Sequence, residues 1–161
     1  MDIKVGFGFD VHRLEEGAEL WLGGVHVPAA KGAVGHSDAD VLVHSICDAL
    51  LGALGLRDIG YHFPDTDPQY KGISSLKLLK KVCDMIKAEG YTVNNVDCTI
   101  SLEEPKISGH IPAMKKALAE ASFLTEEDIS IKATTTEKLG FTGRQEGVAA
   151  YSVVLIKKAI R

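Results

Sequence analysis

His36-Ser-Asp-Ala-Asp-Val-Leu-Val-His-Ser-Ile-Cys-Asp48 decides how the chain is read. The stretch predicts the start of a helix. Ser37 can accept a backbone N–H as N-cap, and Asp38 and Asp40 fall in a first turn where the helix dipole favours anions. Val41, Leu42, Ile46, Ala49, Leu50, Ala53 and Leu54 then recur at helical spacing, and Gly55 supplies a stop. Asp40, His44 and Asp48 follow one another at intervals of four, so they stack on one side of that helix. Taken by itself, such a stripe is more often a core histidine with hydrogen-bonded neighbours than a ligand set.

The segment upstream changes that balance. Apolar residues occupy positions 3, 5, 7 and 9, the alternation of a strand, and the pattern breaks at Asp10. Asp10 and His12 are two apart and leave a strand on the same face. With His44 from the helix they make an O,N,N set. Zinc in catalytic sites commonly takes three such protein ligands and keeps a fourth position open, whereas closed structural sites usually draw on cysteine. No cysteine lies beside Asp10 or His12, so an open divalent-metal site is the sharper reading.

At 161 residues the chain is expected to be one domain with its own core. Eighteen basic against 22 acidic residues give a net charge of −4, so no global field draws nucleic acid or an anionic membrane. An anionic ligand would need local help from metals, helix N-termini or a few lysines and arginines. Cys47, Cys83 and Cys98 are odd in number and lack C-x-x-C spacing, which reads as reduced, mostly buried thiols in a cytoplasmic protein. Residues 1–12 form a strand pattern rather than a signal peptide, and no apolar run approaches membrane-spanning length.

Farther along, Glu19–Val27 suggests a second strand interrupted by Gly23-Gly24, with His26 exposed, and Pro28–Gly35 suggests a loop. Leu56–Tyr70 is rich in turn formers and lacks periodicity; Asp58, Asp65 and Asp67 in it suit Asx turns. A second helix opens at Ser74 or Ser75, buries Leu76, Leu79, Val82, Cys83 and Ile86, and stops at Gly90, with its lysines on a solvated face. Val96–Leu102 alternates as a strand. A third helix starts near Pro112, Thr125–Asp128 forms a capping box, and Ile129–Ala133 is a short strand. Val148–Ile156 is apolar on both faces, as a central strand or a subunit interface requires. Strands grouped around about three helices without strict β–α alternation predict an α+β domain with a mixed sheet.

The run Ala133-Thr-Thr-Thr-Glu-Lys-Leu-Gly-Phe-Thr-Gly-Arg144 carries three hydroxyls, a carboxylate, a lysine and an arginine between glycines. Hydroxyls and backbone N–H groups at a strand end suit phosphate oxygens, and Arg144 offers a bidentate fork. Glu137 is a hard oxygen ligand of the kind Mg²⁺ uses beside substrate phosphates. An ordinary polar loop, with Thr136 capping a helical turn, is the plainer alternative.

These motifs in this order resemble the 2-C-methyl-D-erythritol 2,4-cyclodiphosphate synthase family of the non-mevalonate isoprenoid pathway. The similarity runs through Gly8–His12, His36–Asp40 with His44, Asp58–Gly60, Phe63–Asp67, Pro105-Lys106 and Ala133–Arg144. The resemblance implies a lyase that expels CMP from a CDP-linked methylerythritol phosphate while closing a cyclic diphosphate. It implies zinc on Asp10, His12 and His44, and Mg²⁺ or Mn²⁺ on Glu137. His36 and Thr135 would stabilise the transition state, with Ser37 positioning phosphates. Substrate contacts would extend to Val11, to Asp58, Ile59 and Gly60 at the ribose and diol, and to Phe63, Pro64, Asp65, Thr66 and Asp67 beside them. Leu102, Glu103, Glu104, Pro105, Lys106, Ile107 and Ser108, with Ala133 and Thr134, would form the cytosine pocket, and Thr136 would be a further substrate contact. Asp40 and Asp48 are candidates to orient His44. The resemblance further implies a homotrimer with active sites between subunits, and in many members an isoprenoid diphosphate in a central cavity near Phe141 and Arg144. Tyr151 stands where some members place an acid near that cavity.

Two other readings fit the same residues: a metal-dependent phosphohydrolase in which the metal activates water, and a metal- or nucleotide-binding protein without turnover.

Overall fold

The odd positions of the first strand are apolar, yet they are the ones left in the open. Ile3, Val5, Phe7, Phe9 and Val11 are 42–63% exposed, while the even positions Gly6 and Gly8 are buried. The computed structural model, which describes residues 2–159, shows why. A Cβ at Gly6 would overlap the carbonyl oxygen of Ala49, and one at Gly8 that of Ser45. A helix backbone lies directly against the two glycines, closer than any side chain permits. Strand β1 runs over Ile3–Glu16, well past the expected break at Asp10, because its neighbours continue to pair with it.

Next come β2 (Leu20–Leu22) and β3 (Val25–Val27), a small hairpin turning at Gly23 and Gly24, both at positive φ. The loop expected over Pro28–Gly35 contains instead β4 (Lys31–Val34), paired antiparallel to the end of β1. Four residues without alternation gave no strand signal, and pairing with β1 supplied the order.

Helix α1 spans Val41–Ala53, and its N-cap is Asp40 rather than Ser37. Ala39, at φ 55°, keeps the chain outside helical space until Asp40, whose carboxylate accepts the Val43 N–H at 3.1 Å. The stop at Gly55 is as expected, at φ 70°. The segment 56–70 is mostly turns, with one short helix, α2 (Ile59–His62), and a 3₁₀ turn at Pro68–Tyr70. α3 (Ser75–Ala88) follows; Leu78 is buried on it, whereas Leu76 is only half-buried. β5 (Tyr91–Ser101), α4 (Ile111–Ser122), the capping box at Thr125–Asp128, β6 (Ile129–Thr134), short α5 (Gly140–Gly143) and β7 (Gly147–Lys158) complete the chain.

Five strands form one mixed sheet in the order β4-β1-β7-β5-β6, antiparallel except for β5 with β6. The α+β expectation holds: α1, α3 and α4 are the three long helices, and α1 crosses β1 and β7. On β7, Val148, Ala150, Ser152, Val154 and Ile156 are buried beneath the helices. Tyr151 and Val153 emerge on the opposite face beside Phe7 and Phe9, and the Phe9 and Tyr151 rings lie 5.1 Å apart. β7 is therefore central in the sheet and still exposed on its other face at Tyr151 and Val153. No helix among the described residues is long and apolar enough to cross a membrane.

Candidate active site

The close seat of α1 on Gly6 and Gly8 brings the His44 ring down beside the next two inward positions of β1, Asp10 and His12. Asp10 Oδ2 lies 2.9 Å from His12 Nε2 and 3.0 Å from His44 Nδ1, and the two ring nitrogens are 3.1 Å apart. Among the described residues this is the one cluster of three or more His, Cys, Asp or Glu with converging ligand atoms. His12 Nδ1 sits 3.2 Å from the Val34 carbonyl oxygen, a pure acceptor, so Nδ1 carries the hydrogen and Nε2 presents a lone pair. β4, invisible in the sequence, thus sets the tautomer of His12. His44 Nε2 lies 2.8 Å from Ser75 Oγ and 3.1 Å from Ser37 Oγ.

Acceptors facing one another at such distances call for a shared cation. Without a metal, a proton serves. Burial pushes the Asp10 carboxyl up, but the hydrogen bonds and charges of His12 and His44 outweigh it and hold it at about 2. Burial pushes His12 down, and the hydrogen bond and charge of Asp10 more than reverse this, leaving it raised. A tetrahedral ion bonded at about 2.0–2.1 Å separates its ligand atoms by about 3.3 Å. Small outward rotations of the two rings therefore admit a metal ion, and the donor set fits.

A pH dependence follows from these shifts. In the metal-free protein the raised His12 stabilises the fold below its ordinary value of 6.5, and that contribution is lost as pH rises through its folded value. The lowered Asp10 stabilises above 3.8, and its contribution is lost as pH falls towards 2. A metal must displace the histidine proton, at about 1.4 kcal/mol per pH unit per proton. The rise in Tm on adding Zn²⁺ is expected to grow between pH 5.5 and 8 in paired melts. A constant rise across that range would contradict a histidine-bound metal.

Asp40 and Asp48, expected to orient His44, do other work. The Asp40 carboxylate is fully buried and accepts N–H groups of Gly23 at 2.9 Å, Gly24 at 2.7 Å and Val43 at 3.1 Å, fastening the hairpin turn to the start of α1. Burial raises it to about 6 against the pull of those donors. Asp48 Oδ1 accepts the Ile59 N–H at 2.8 Å and so tethers the Asp58–Gly60 segment. The helical spacing was right; the partners were decided by which backbone came near.

The cluster opens into a cavity of about 360 Å³, bordered by Asp10, His12, His36, Ser37, His44, Ile59, Gly60, Phe63 and Asp65. Tyr70, Ile73 and Leu78 complete its wall and were missed, having no signal beyond being apolar. Other expected contacts stand outside that lining. Val11 faces the bare side of β1. Asp58 caps α2 through the Tyr61 N–H at 2.9 Å, and Asp67 caps the next turn through Gln69 at 3.0 Å, the Asx roles the sequence allowed. Pro64 and Thr66 lie in the turn between them.

A second cavity, about 220 Å³, lies where β5 and β6 end, between Leu102–Ser108 and Ala133–Thr135. Leu102, Glu103, Pro105, Lys106, Ile107, Ser108, Ala133, Thr134 and Thr135 line it; Glu104 is exposed beside them. Glu103 accepts the Thr136 N–H at 3.3 Å, and Thr136 Oγ1 donates to the Leu139 carbonyl rather than capping a helical N–H. Glu137 is exposed at φ 53°, its N–H held by Thr135 Oγ1 at 3.3 Å. The two cavities share no residue. Phe141 and Arg144 border neither: Phe141 packs beside Gly147, and Arg144 forks onto Glu146 at 2.9 and 3.2 Å.

Comparison with known proteins bears on the whole length. Residues 3–157 match the model of the YgbB family. A Bacteroides fragilis protein named 2-C-methyl-D-erythritol 2,4-cyclodiphosphate synthase is 63% identical over 158 residues, 98% of this chain and 99% of its own. The fold superposes on a solved synthase of that name in its CDP-bound form with TM-score 0.89, at 37% identity, over 96% of this chain and all of the other. It also superposes on the bifunctional IspDF of Campylobacter jejuni with TM-score 0.93, at 44% identity; there this chain, 98% covered, spans 42% of the longer protein. Family match, curated relative and superposed folds all extend from β1 into β7, the two strands beneath α1, and on that footing the chain belongs to the YgbB family.

Proposed function

We propose that this chain converts 4-CDP-2-C-methyl-D-erythritol 2-phosphate into 2-C-methyl-D-erythritol 2,4-cyclodiphosphate and CMP, its 161 residues acting as one catalytic domain. The observation that carries the reading is the convergence of Asp10, His12 and His44 at the edge of a cavity, in a chain whose near relatives bear the synthase name over their full length. An oxygen of the 2-phosphate attacks the β-phosphorus, and the bond from that phosphorus to the oxygen bridging it to the α-phosphorus breaks. CMP leaves with the electron pair. The nucleophile belongs to the substrate, so the protein must fold a flexible chain into its ring-closing geometry and offset charge between phosphates.

Asp10, His12 and His44 would hold Zn²⁺, and Glu137 would hold Mg²⁺ or Mn²⁺. When bound, these ions polarise phosphate oxygens and neutralise developing charge. Ser37 Oγ accepts the Ala39 N–H at 3.3 Å and lies beside His44, which leaves its own hydrogen for a phosphate oxygen in the cavity. His36, at the same wall, and Thr135, in the second cavity, are the groups assigned to the transition state. Ile59 and Gly60, tethered by Asp48, receive the ribose and diol, with Phe63 and Asp65 beside them. The β5–β6 cavity takes cytosine through backbone groups.

One substrate needs both cavities, and within one chain they are separate. A homotrimer that sets the metal cavity of one copy against the cytosine cavity of the next resolves this. Its natural seam is the bare apolar face of Ile3, Val5, Phe7, Phe9, Tyr151 and Val153. An isoprenoid diphosphate held within such an assembly would meet Phe141 and Arg144. The three buried, unpaired cysteines suit a reducing cytoplasm.

Incubation of the CDP-linked substrate with enzyme, Zn²⁺ and Mg²⁺ should yield CMP and a cyclic diphosphate in equal amounts. Inorganic phosphate would instead identify a phosphohydrolase, and binding without turnover a nucleotide-binding protein. Phe7→Asp places a charge on the bare face, and light scattering should then report monomer with activity down at least about tenfold. A monomeric wild type of full activity would refute the shared site.

A further inference from the structure

We propose that Ser75, backed by Asp38, is the positioning residue that fixes the tautomer of His44 and so prepares its Nδ1 as a metal ligand. The inference rests on the metal reading above and adds two residues to it. Ser75 opens α3, is fully buried and lies outside the lining of the metal cavity.

The argument is a count of hydrogens. Asp38 comes from the bend before α1, and its Oδ2 accepts the Ser75 backbone N–H at 2.8 Å. Its Oδ1 accepts the Ser75 hydroxyl and also the Asp40 N–H at 3.2 Å. A carboxylate only accepts, so the single hydroxyl hydrogen of Ser75 is committed to Asp38. The remaining lone pairs of Ser75 Oγ then face His44 Nε2 at 2.8 Å. Two acceptors at that distance would repel, so Nε2 carries the hydrogen. A neutral imidazole has one N–H, and Nδ1 is left bare, 3.0 Å from Asp10 Oδ2 and 3.1 Å from His12 Nε2.

Ser37 supports the same assignment more weakly, at 3.1 Å from Nε2 and with its oxygen already accepting Ala39 N–H. The pattern parallels His12, whose far nitrogen is committed to the Val34 carbonyl. Each ring is thus oriented from behind. For His44 the support comes through a serine from a carboxylate, in a line Asp38–Ser75–His44 that also joins the start of α3 to α1. Ser74, the N-cap of α3, makes no side-chain cap bond, so the Asp38 carboxylate does that capping as well.

A purely structural role for Ser75 would lower stability and leave the ring's protonation pattern alone. Nitrogen-15 NMR of histidine-labelled, metal-free protein at pH 8 distinguishes the two. His44 should report the Nε2–H form in the wild type and a mixture of tautomers in Ser75→Ala. Zinc affinity, measured by chelator competition on folded protein, should fall about 10–100-fold in Ser75→Ala, the usual cost of losing a partner behind a ligand. Ser75→Thr, which keeps the hydroxyl, should return to within a few-fold of wild type. An unchanged tautomer together with unchanged zinc affinity in Ser75→Ala overturns the proposal. If the wild type binds no zinc while its His44 tautomer still collapses in Ser75→Ala, the relay stands and the metal reading of the site falls.

Discussion

His44→Ala is expected to remove stoichiometric zinc from the purified protein and to lower kcat/KM for CMP release by at least about a thousandfold, some 4 kcal/mol of transition-state stabilisation. The ring is one of three groups whose ligand atoms meet within about 3 Å, and Asp10 and His12 alone leave a two-ligand site. The fold should survive. The loss of the ring leaves a small gap on the cavity side of α1, while Leu42, Ile46, Leu50 and the rest of its buried face remain. Metal analysis, circular dichroism and the CMP assay together check this. Near-wild-type turnover in a folded His44→Ala protein would remove the metal assignment altogether.

Gly8→Ala should be as damaging to the fold as His44→Ala is to the chemistry. A Cβ there overlaps the Ser45 carbonyl oxygen and comes within 2.7 Å of the Ala49 nitrogen. Both belong to helix backbone, which cannot rotate away as a side chain would. Overpacking a core costs about 1–3 kcal/mol where side chains can adjust; against backbone the expected loss is about 3 kcal/mol or more, or failure to fold. Lifting α1 from β1 would also draw His44 away from Asp10, so any folded fraction should bind zinc poorly. Gly52→Ala is the control. Its nearest neighbour beyond the helix is the Phe7 carbonyl oxygen at 3.9 Å, and alanine is the better helix former by about 1 kcal/mol. Thermal melts should therefore move in opposite directions for the two glycines. Similar Tm values would mean that the close seat of α1 does not matter.

The cluster of Asp10, His12 and His44 was legible because it is local twice over. Asp10 and His12 share a strand face by period two, and His44 follows from a helix whose apolar spacing is unmistakable; both patterns are properties of backbone geometry and need no knowledge of partners. The hydroxyl-rich run after Ala133 was legible as a strand end, and β6 does close at Thr134. Most elements were recovered, but not their limits. β1 outran its own alternation because β7 and β4 went on pairing with it, and β4 had no pattern of its own to reveal it.

Which side of β1 faces the core could not be read from residue type. The alternation of Ile3, Val5, Phe7 and Phe9 argues for apolar inside, and the structure does the reverse, since only the glycine side admits the α1 backbone. Partners of buried polar groups were equally out of reach. Asp40 and Asp48 lie at the right spacing from His44, yet hold Gly23, Gly24 and Ile59, while Ser75, 31 residues beyond His44, supports its ring. The sequence by itself determined which side chains share a strand face or a helix stripe, because those periods are intrinsic to the backbone. Only the tertiary structure decided which stripes meet and what stands behind each ring, because those contacts depend on how closely segments far apart in the chain approach one another.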